Sequence, residues 1–221
     1  MAGPGAMKSA KRCSPKRVGA AAPPDDRRLV VHAVTPSRLK DLEALFGERG
    51  ACGGCWCTWW RLKPKEYQAG RGPGNRSVLR ALVRKGPPPG LLAYAAARGS
   101  GRARIKPQAV GWVALAPRID YPRLAGSRIL APVDDQPVWS VTCFFVARGW
   151  RRRGVTGALL EAAAAHAKKA GAKLLEGYPV DSAAKSADTF AFTGLSHAFE
   201  RAGFQEAARR SRTRPIMRRS L

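Results

Sequence analysis

Apolar and polar positions along the chain repeat with two periods, near two and near three and a half residues, and the switches between them predict the elements. "LVVHAV" (29 to 34), alternating and β-branched, predicts a first strand. "PSRLKDLEALFGE" (36 to 48) follows at helical spacing, with Leu39, Leu42, Leu45 and Phe46 on one face. Small residues and aromatics in "CGGCWCTWWRL" (52 to 62) interrupt it, and helical spacing returns in "NRSVLRALVRKG" (75 to 86) until "PPPG" stops it. Two apolar runs, "LLAYAAA" (91 to 97) and "AVGWVALA" (109 to 116), predict a hairpin with a long basic tip. After a connection containing Pro and Arg, "PVWSVTCFFV" (137 to 146) is the strongest strand signal in the chain.

The longest helical run starts near Gly154. It sets Val155, Ala158, Leu159, Ala162 and Ala165 on one side, carries Lys168 and Lys169 in its last turn and meets Gly171 as a stop. "KLLEGYPV" (173 to 180) predicts another strand, "LSHAFERAGF" (195 to 204) a short helix ended by Gly203, and the remainder one or two closing strands. That order of elements predicts a mixed α+β domain built on a single sheet.

Composition narrows the class. At 221 residues the chain suits one domain, and an apolar content of 45% with six tryptophans excludes a wholly disordered chain. No apolar run approaches the roughly 18 residues of a membrane helix, so a soluble protein with no membrane partner is expected. Residues 1 to 28 lack the apolar core of a secretory signal and read as a disordered basic tail, leaving 29 to 221 as the domain. The tail holds seven Lys/Arg and two acids, a net +5 of the total +25, so most of the charge belongs to the folded part. Such a field attracts polyanions and steers anionic ligands, although the abundance of Arg, Ala, Gly and Pro equally fits a GC-rich coding bias. Five cysteines in no regular disulfide spacing predict a reducing, cytoplasmic setting.

One stretch concentrates the chemistry. In "WRRRGVTGALLEAAAAH" (150 to 166) a predicted strand is followed by a basic turn and then by a helix whose first turn holds Gly154 and Gly157. The first N–H groups of a helix have no internal acceptors, the helix dipole adds positive potential, and glycine lets a ligand approach the backbone. Arg151, Arg152 and Arg153 add to the field, which predicts a phosphate site. Neither GxxxxGK[ST] nor GxGxxG occurs there, so the loop is not that of an ordinary P-loop nucleotide or a Rossmann dinucleotide.

"FFVARGWRRRGVTGALL" resembles the acetyl-CoA-binding signature of the GNAT acetyltransferase superfamily, a strand followed by Arg/Gln-x-x-Gly-x-Gly/Ala and a helix. Arg151, Gly154 and Thr156 fall on its marked positions, with Thr156 where the family prefers Gly or Ala and Gly157 one place later. The resemblance implies an α+β fold with a mixed, mostly antiparallel central sheet flanked by helices, over roughly residues 29 to 210. It implies acetyl-CoA as donor, its pyrophosphate on the backbone of Arg151, Arg152, Arg153, Gly154, Val155, Thr156 and Gly157. Phe144 and Val146 would pair through their backbone with the pantetheine arm. "FERAGF" (199 to 204) is similar to the helix and Gly-Phe that close the family's cofactor region. Here the chain departs: Phe199 stands where a general-acid tyrosine is common, and Phe192 where an asparagine precedes it.

Direct attack of an amine on a thioester needs a neutral amine, a polarised carbonyl and a proton for the sulfur. Glu176 is the first candidate base, and Tyr178, two residues on and sharing its face, the candidate acid, with Asp181 a further option. An ordinary paired carboxylate and a packed aromatic compete with these readings. Cys52, Cys55 and Cys57 are spaced to chelate zinc but are one ligand short; with Cys143 on a predicted core strand and Cys13 in the tail, the fourth would have to be His32, His166, His197 or a distant group, so packing beside Trp56, Trp59 and Trp60 is the preferred reading and no metal is predicted. The tryptophans alternatively line an acceptor pocket. His166 and His197 read as surface histidines. The chain is thus expected to be an acetyl-CoA-dependent N-acetyltransferase acting on a small-molecule or protein amine. The alternative is a nucleic-acid binder on the same scaffold, using the tail, the loop 98 to 106 and the arginine-rich end "ARRSRTRPIMRRS".

Overall fold

The computed structural model describes residues 29 to 95, 107 to 181 and 191 to 221. The predicted tail, the basic loop through residue 106 and the end of the strand at 96 and 97 lie outside the described residues.

Among the described residues seven strands form one sheet: β1 (Leu29–Ala33), β2 (Gly90–Ala95), β3 (Gln108–Pro117), β4 (Trp139–Val146), β5 (Leu174–Gly177), β6 (Gln205–Arg209) and β7 (Pro215–Ser220). Their order is β1-β2-β3-β4-β5-β7-β6, and neighbours run antiparallel except β4 and β5. The predicted α+β class and single sheet are therefore observed, with β2 and β3 paired as a hairpin and two closing strands.

Six helices flank the sheet: α1 (Leu39–Phe46), α2 (Pro64–Ala69), α3 (Pro73–Lys85), α4 (Pro122–Ala125), α5 (Val155–Lys169) and α6 (Ser196–Arg201) among the described residues. Sequence periodicity missed α2 and α4, which are too short for a 3.6-residue repeat to register; each starts with proline at its first position, where the missing N–H costs nothing. On α1, Leu39, Leu42 and Phe46 are buried and Leu45 only half-buried.

The buried face of α5 differs from the predicted one. Val155 and Leu159 are buried as expected, joined by Leu160, Ala163, Ala164 and Ala167, whereas Ala158 and Ala162 are half-buried and Ala165 is exposed. Alanines surround this helix on every side, so spacing alone admits several faces, and the large side chain of Leu160 turns the stripe toward the sheet.

Alternation along the strands feeds two cores. Leu91, Ala93, Val113, Leu115, Val141 and Phe144 pack against α5, while Leu92, Tyr94, Trp112, Ala114 and Cys143 point to α1 and α3. Burying a leucine or valine completely stabilises the fold by about 1.5–3 kcal/mol, so the two cores fix the register of the central strands. A third cluster lies beside the α1 core, where Tyr121, Leu124 and Leu130 from the β3–β4 connection meet Trp60, Tyr178 and Ile216.

Two irregularities in β4 position the site. Its pairing with β3 passes from Ala114 opposite Cys143 to Leu115 opposite Val141, which makes Thr142 the extra residue of a bulge. Its parallel pairing with β5 runs only from Trp139 to Val141, so β4 continues to Val146 after β5 has ended.

Candidate active site

The strand, turn and helix order at 139 to 169 assembles as predicted. β4 ends at Val146, a 3-10 turn covers Arg148–Trp150, and the chain enters α5 through two left-handed residues, Arg152 (φ 61°) and Gly154 (φ 77°). Glycine adopts that conformation without cost, and a side chain there would meet open space but a strained backbone. The Ala158 N–H closes the first turn on the Gly154 carbonyl at 3.0 Å, so the N–H groups before it emerge at the helix end. Arg151, Arg152, Arg153 and Gly154 are exposed around this end; Thr156 and Gly157 are half-buried, and Val155 turns its side chain into the core. The result is a positively charged rim over free backbone donors.

Phe144 and Val146 sit beside it. The Ala147 N–H bonds the Val110 carbonyl on β3 at 2.9 Å, and strand alternation therefore turns the amides of Phe144 and Val146 toward the opposite edge, vacated by β5. Arg151 Nε donates to the Val146 carbonyl at 3.3 Å across that edge. An extended ligand running from the α5 end down this edge would find β-strand hydrogen-bonding groups.

Near the point where β4 and β5 part, Glu176 and Tyr178 form the centre of a buried polar cluster. Glu176 faces Ser140 on β4 and Arg218 on β7, three strands in register on one face. Its Oε1 accepts from Arg118 Nη1 at 2.8 Å and from the Tyr178 hydroxyl at 2.6 Å, and its Oε2 accepts from Arg218 Nε at 2.7 Å. Tyr178 Oη also accepts from Arg118 at 2.7 Å; since its own proton goes to Glu176, Ser140 Oγ at 2.8 Å is the donor to it. Burial, followed by the charge of Glu176, pushes the Tyr178 pKa well above its usual value, so the phenol keeps its proton. Both residues are at 0% exposure, and Arg218 is held from its other side by Asp134 at 2.6 Å. Sequence reasoning placed Glu176 and Tyr178 on one face and missed Arg118, Arg218 and Ser140. The one sequence signal was general: a carboxylate inside an apolar strand requires a partner.

Phe199, at the position expected for a tyrosine, is entirely buried. Its ring meets Phe144 and Phe204 edge-on at centroid distances of 6.0 Å and 5.0 Å. It lies against Gly177 and Gly194, neither of which has room for a Cβ beside it. Phe192 is half-buried between the second and third clusters. Asp181 pairs with Arg209 at 3.0 Å, away from the Glu176 cluster's donors. His166 packs edge-on against Trp139 at 6.1 Å, His32 against Tyr94 at 5.9 Å, and His197 is half-buried on α6.

Trp56 and Trp60 join the core, while Trp59 is 37% exposed and stacks with the Arg123 guanidinium, 3.8 Å from its ring centre. Cys57 approaches Cys143, a proximity that sequence spacing did not suggest. Among the described residues no three His, Cys, Asp or Glu side chains are grouped to hold a metal ion. The arginine-rich end is largely engaged within the fold. Arg209 pairs with Glu206 and Asp181, Arg210 caps the carbonyls of Ala131 and Pro132, Arg218 holds Glu176 and Asp134, and Arg219 holds Glu161. No helix among the described residues is long and apolar enough to cross a membrane.

The Acetyltransferase (GNAT) family matches residues 58 to 188. No curated protein matches the sequence. Solved structures share the fold at low identity. A GNAT-family acetyltransferase from Streptococcus agalactiae 2603 superposes with a TM-score of 0.50 at 10% identity, covering 87% of this chain and 95% of that one. One from Listeria monocytogenes 4b F2365 gives 0.49 at 10% identity over the same shares, 87% and 95%. Arabidopsis thaliana NAA60, solved with acetyl-CoA, gives 0.45 at 12% identity over 88% of this chain and 100% of that one.

Proposed function

Because the chain belongs to the GNAT acetyltransferase family, we propose that it is an N-acetyltransferase that moves the acetyl group of acetyl-CoA directly to an acceptor amine. The observation that carries the reading is the continuity between two features: the arginine-rimmed N-terminus of α5 and the vacated edge of β4 that leads away from it. The first fits a pyrophosphate, held by the backbone of residues 151 to 157; the second fits an extended amide-containing arm, held by Phe144 and Val146.

In this reading the thioester lies near the bulge at Thr142, where the strands part. The acceptor nitrogen attacks the carbonyl carbon, the C–S bond breaks, and the sulfur leaves as a thiolate that needs a proton. Tyr178 is the proton donor of this proposal, its phenol kept protonated by burial and by Glu176. Arg118, bonded to the Tyr178 oxygen, stabilises the phenolate that results. Glu176, surrounded by donors and closed to solvent, holds Tyr178, Arg118 and Arg218 in place, and the proton of the attacking amine passes to water.

A thermal melt with and without excess acetyl-CoA tests the donor site, with ATP as polyanion control. A ligand at a hundredfold excess over its Kd stabilises the folded state by about 2.7 kcal/mol. A shift with acetyl-CoA well beyond that with ATP supports the reading, and equal shifts or none overturn it.

A further inference from the structure

We propose that Cys55, Cys57 and Cys143 form a hydroperoxide-sensitive thiol relay that ends in a Cys57–Cys143 disulfide. The inference rests on the thiols alone and is independent of the acetyltransferase reading.

The loop that carries Cys55 and Cys57 is bent by residues that do not favour its geometry. Ala51, Trp56 and Cys57 all have left-handed backbones, at φ 65°, 44° and 52°. Each such residue costs on the order of 1–3 kcal/mol and persists only where the surroundings impose it. Here the buried Trp56 ring imposes it, wedged against Phe46 at 5.9 Å with the Arg76 guanidinium 5.1 Å above its face. The consequence is that Cys57 points inward. Its sulfur lies 3.3 Å from that of Cys143, a residue 86 positions away on β4, and both are buried. A disulfide requires about 2.05 Å, so closing the bond takes a shift of only about 1.3 Å.

Cys55 supplies an access point. It is half-buried where its two partners are buried. The Cys57 thiol donates to it, the backbone N–H groups of Cys57, Cys52 and Cys55 add to that, and together they lower its pKa to about 6. The same contacts act oppositely on Cys57: its bonds to Cys143 and Cys55, with burial, push its thiol pKa up. A half-buried thiol of lowered pKa beside the buried Cys57–Cys143 pair makes a directed chain.

The chemistry balances with one hydroperoxide. The Cys55 thiolate attacks the outer oxygen, the O–O bond breaks, and the departing oxygen takes a proton to leave as alcohol or, from hydrogen peroxide, water. Cys55 is then a sulfenic acid. The Cys57 sulfur displaces its hydroxyl, which leaves as water with the Cys57 proton, and a Cys55–Cys57 disulfide forms. Cys143 attacks Cys57, releases Cys55 as thiolate and gives its proton to solvent. Two thiols lose two electrons and one peroxide gains them. The final bond ties the 52 to 62 loop to β4 beside the bulge at Thr142.

The test uses the full-length reduced protein at pH 7, treated with equimolar hydrogen peroxide, alkylated and digested with trypsin. The expected product joins the peptides 50 to 61 and 129 to 148 through Cys57 and Cys143, with Cys55 recovered alkylated. A thiol of pKa about 6 is roughly thirtyfold more ionised at pH 7 than an ordinary one near 8.5, so C55S should slow cross-linking at least about tenfold. C143S should stop at a disulfide within peptide 50 to 61. Separate peptides with Cys57 and Cys143 both alkylated, oxygen on Cys55 without a link, or an unchanged rate in C55S would overturn the relay.

Discussion

The Tyr178 hydroxyl donates a 2.6 Å hydrogen bond to Glu176, two residues before it, and neither side chain meets solvent. This pair ties the end of β5 to the turn after β3 through Arg118 and to β7 through Arg218, so chemistry assigned to one member can be separated from the others only by substitution.

Tyr178→Phe removes one donor and leaves Glu176, Arg118 and Ser140 each short of a partner. A stability loss of about 1–3 kcal/mol is expected from the unsatisfied groups. If Tyr178 also protonates the leaving thiolate, kcat falls by about a hundredfold while KM for acetyl-CoA holds. Steady-state kinetics beside a thermal melt separate the two effects, and an unchanged kcat rules out the proton donor.

Glu176→Gln takes from Arg118 the carboxylate it is paired with and leaves Arg218 with Asp134 alone. Breaking one side of a buried ion pair costs about 3–5 kcal/mol. Denaturant unfolding should show a loss of that order, and adding Arg218→Met should recover part of it; no recovery would mean that the loss lies elsewhere.

Gly177→Ala should destabilise the fork between β4 and β5. A Cβ at Gly177 would collide with Cε1 of Phe199, a ring boxed in by Phe144 and Phe204. Overpacking of this kind costs about 1–3 kcal/mol. The melt should fall for the single variant and recover in combination with Phe199→Leu.

Gly154→Asp tests the donor site directly. The substitution puts a carboxylate and a strained left-handed backbone at the N-terminus of α5, where φ is 77°. Acetyl-CoA affinity should fall by more than about tenfold by titration calorimetry, since one misplaced charge of this kind is worth a few kcal/mol near a phosphate. Unchanged affinity would remove the site from the loop.

Acid should loosen the contact between α1 and α3. Glu43 accepts from Arg80 and from Arg76, the latter at 2.9 Å, and these bonds lower its pKa to about 2. In the unfolded chain an ordinary glutamate titrates near 4.3. The stabilisation is therefore fully present above that value and is lost as pH falls toward 2. Because both arginines are more than a third exposed at 40% and 38%, solvent screening keeps the effect modest. Across pH 5 to 2, Glu43→Gln should lose less stability than the unsubstituted protein; equal losses would exclude Glu43.

The helix and strand periods, the positions of Gly154 and Gly157, and the arginines before them were legible in sequence because each is a local property: side-chain spacing, backbone freedom and charge within a few residues. They determined the α+β class, the order of the strands and longer helices, and the glycine-containing, arginine-rimmed start of α5. The residues around Glu176 were not legible, since strand register brings Ser140 and Arg218 to it and Arg118 reaches it from the turn after β3. The same holds for Cys57 and Cys143, and for the buried face of α5, which an alanine-rich pattern leaves degenerate until Leu160 meets the sheet. Tertiary structure decided which polar groups are paired out of water and which thiols touch, because those outcomes depend on long-range registers that no local spacing encodes.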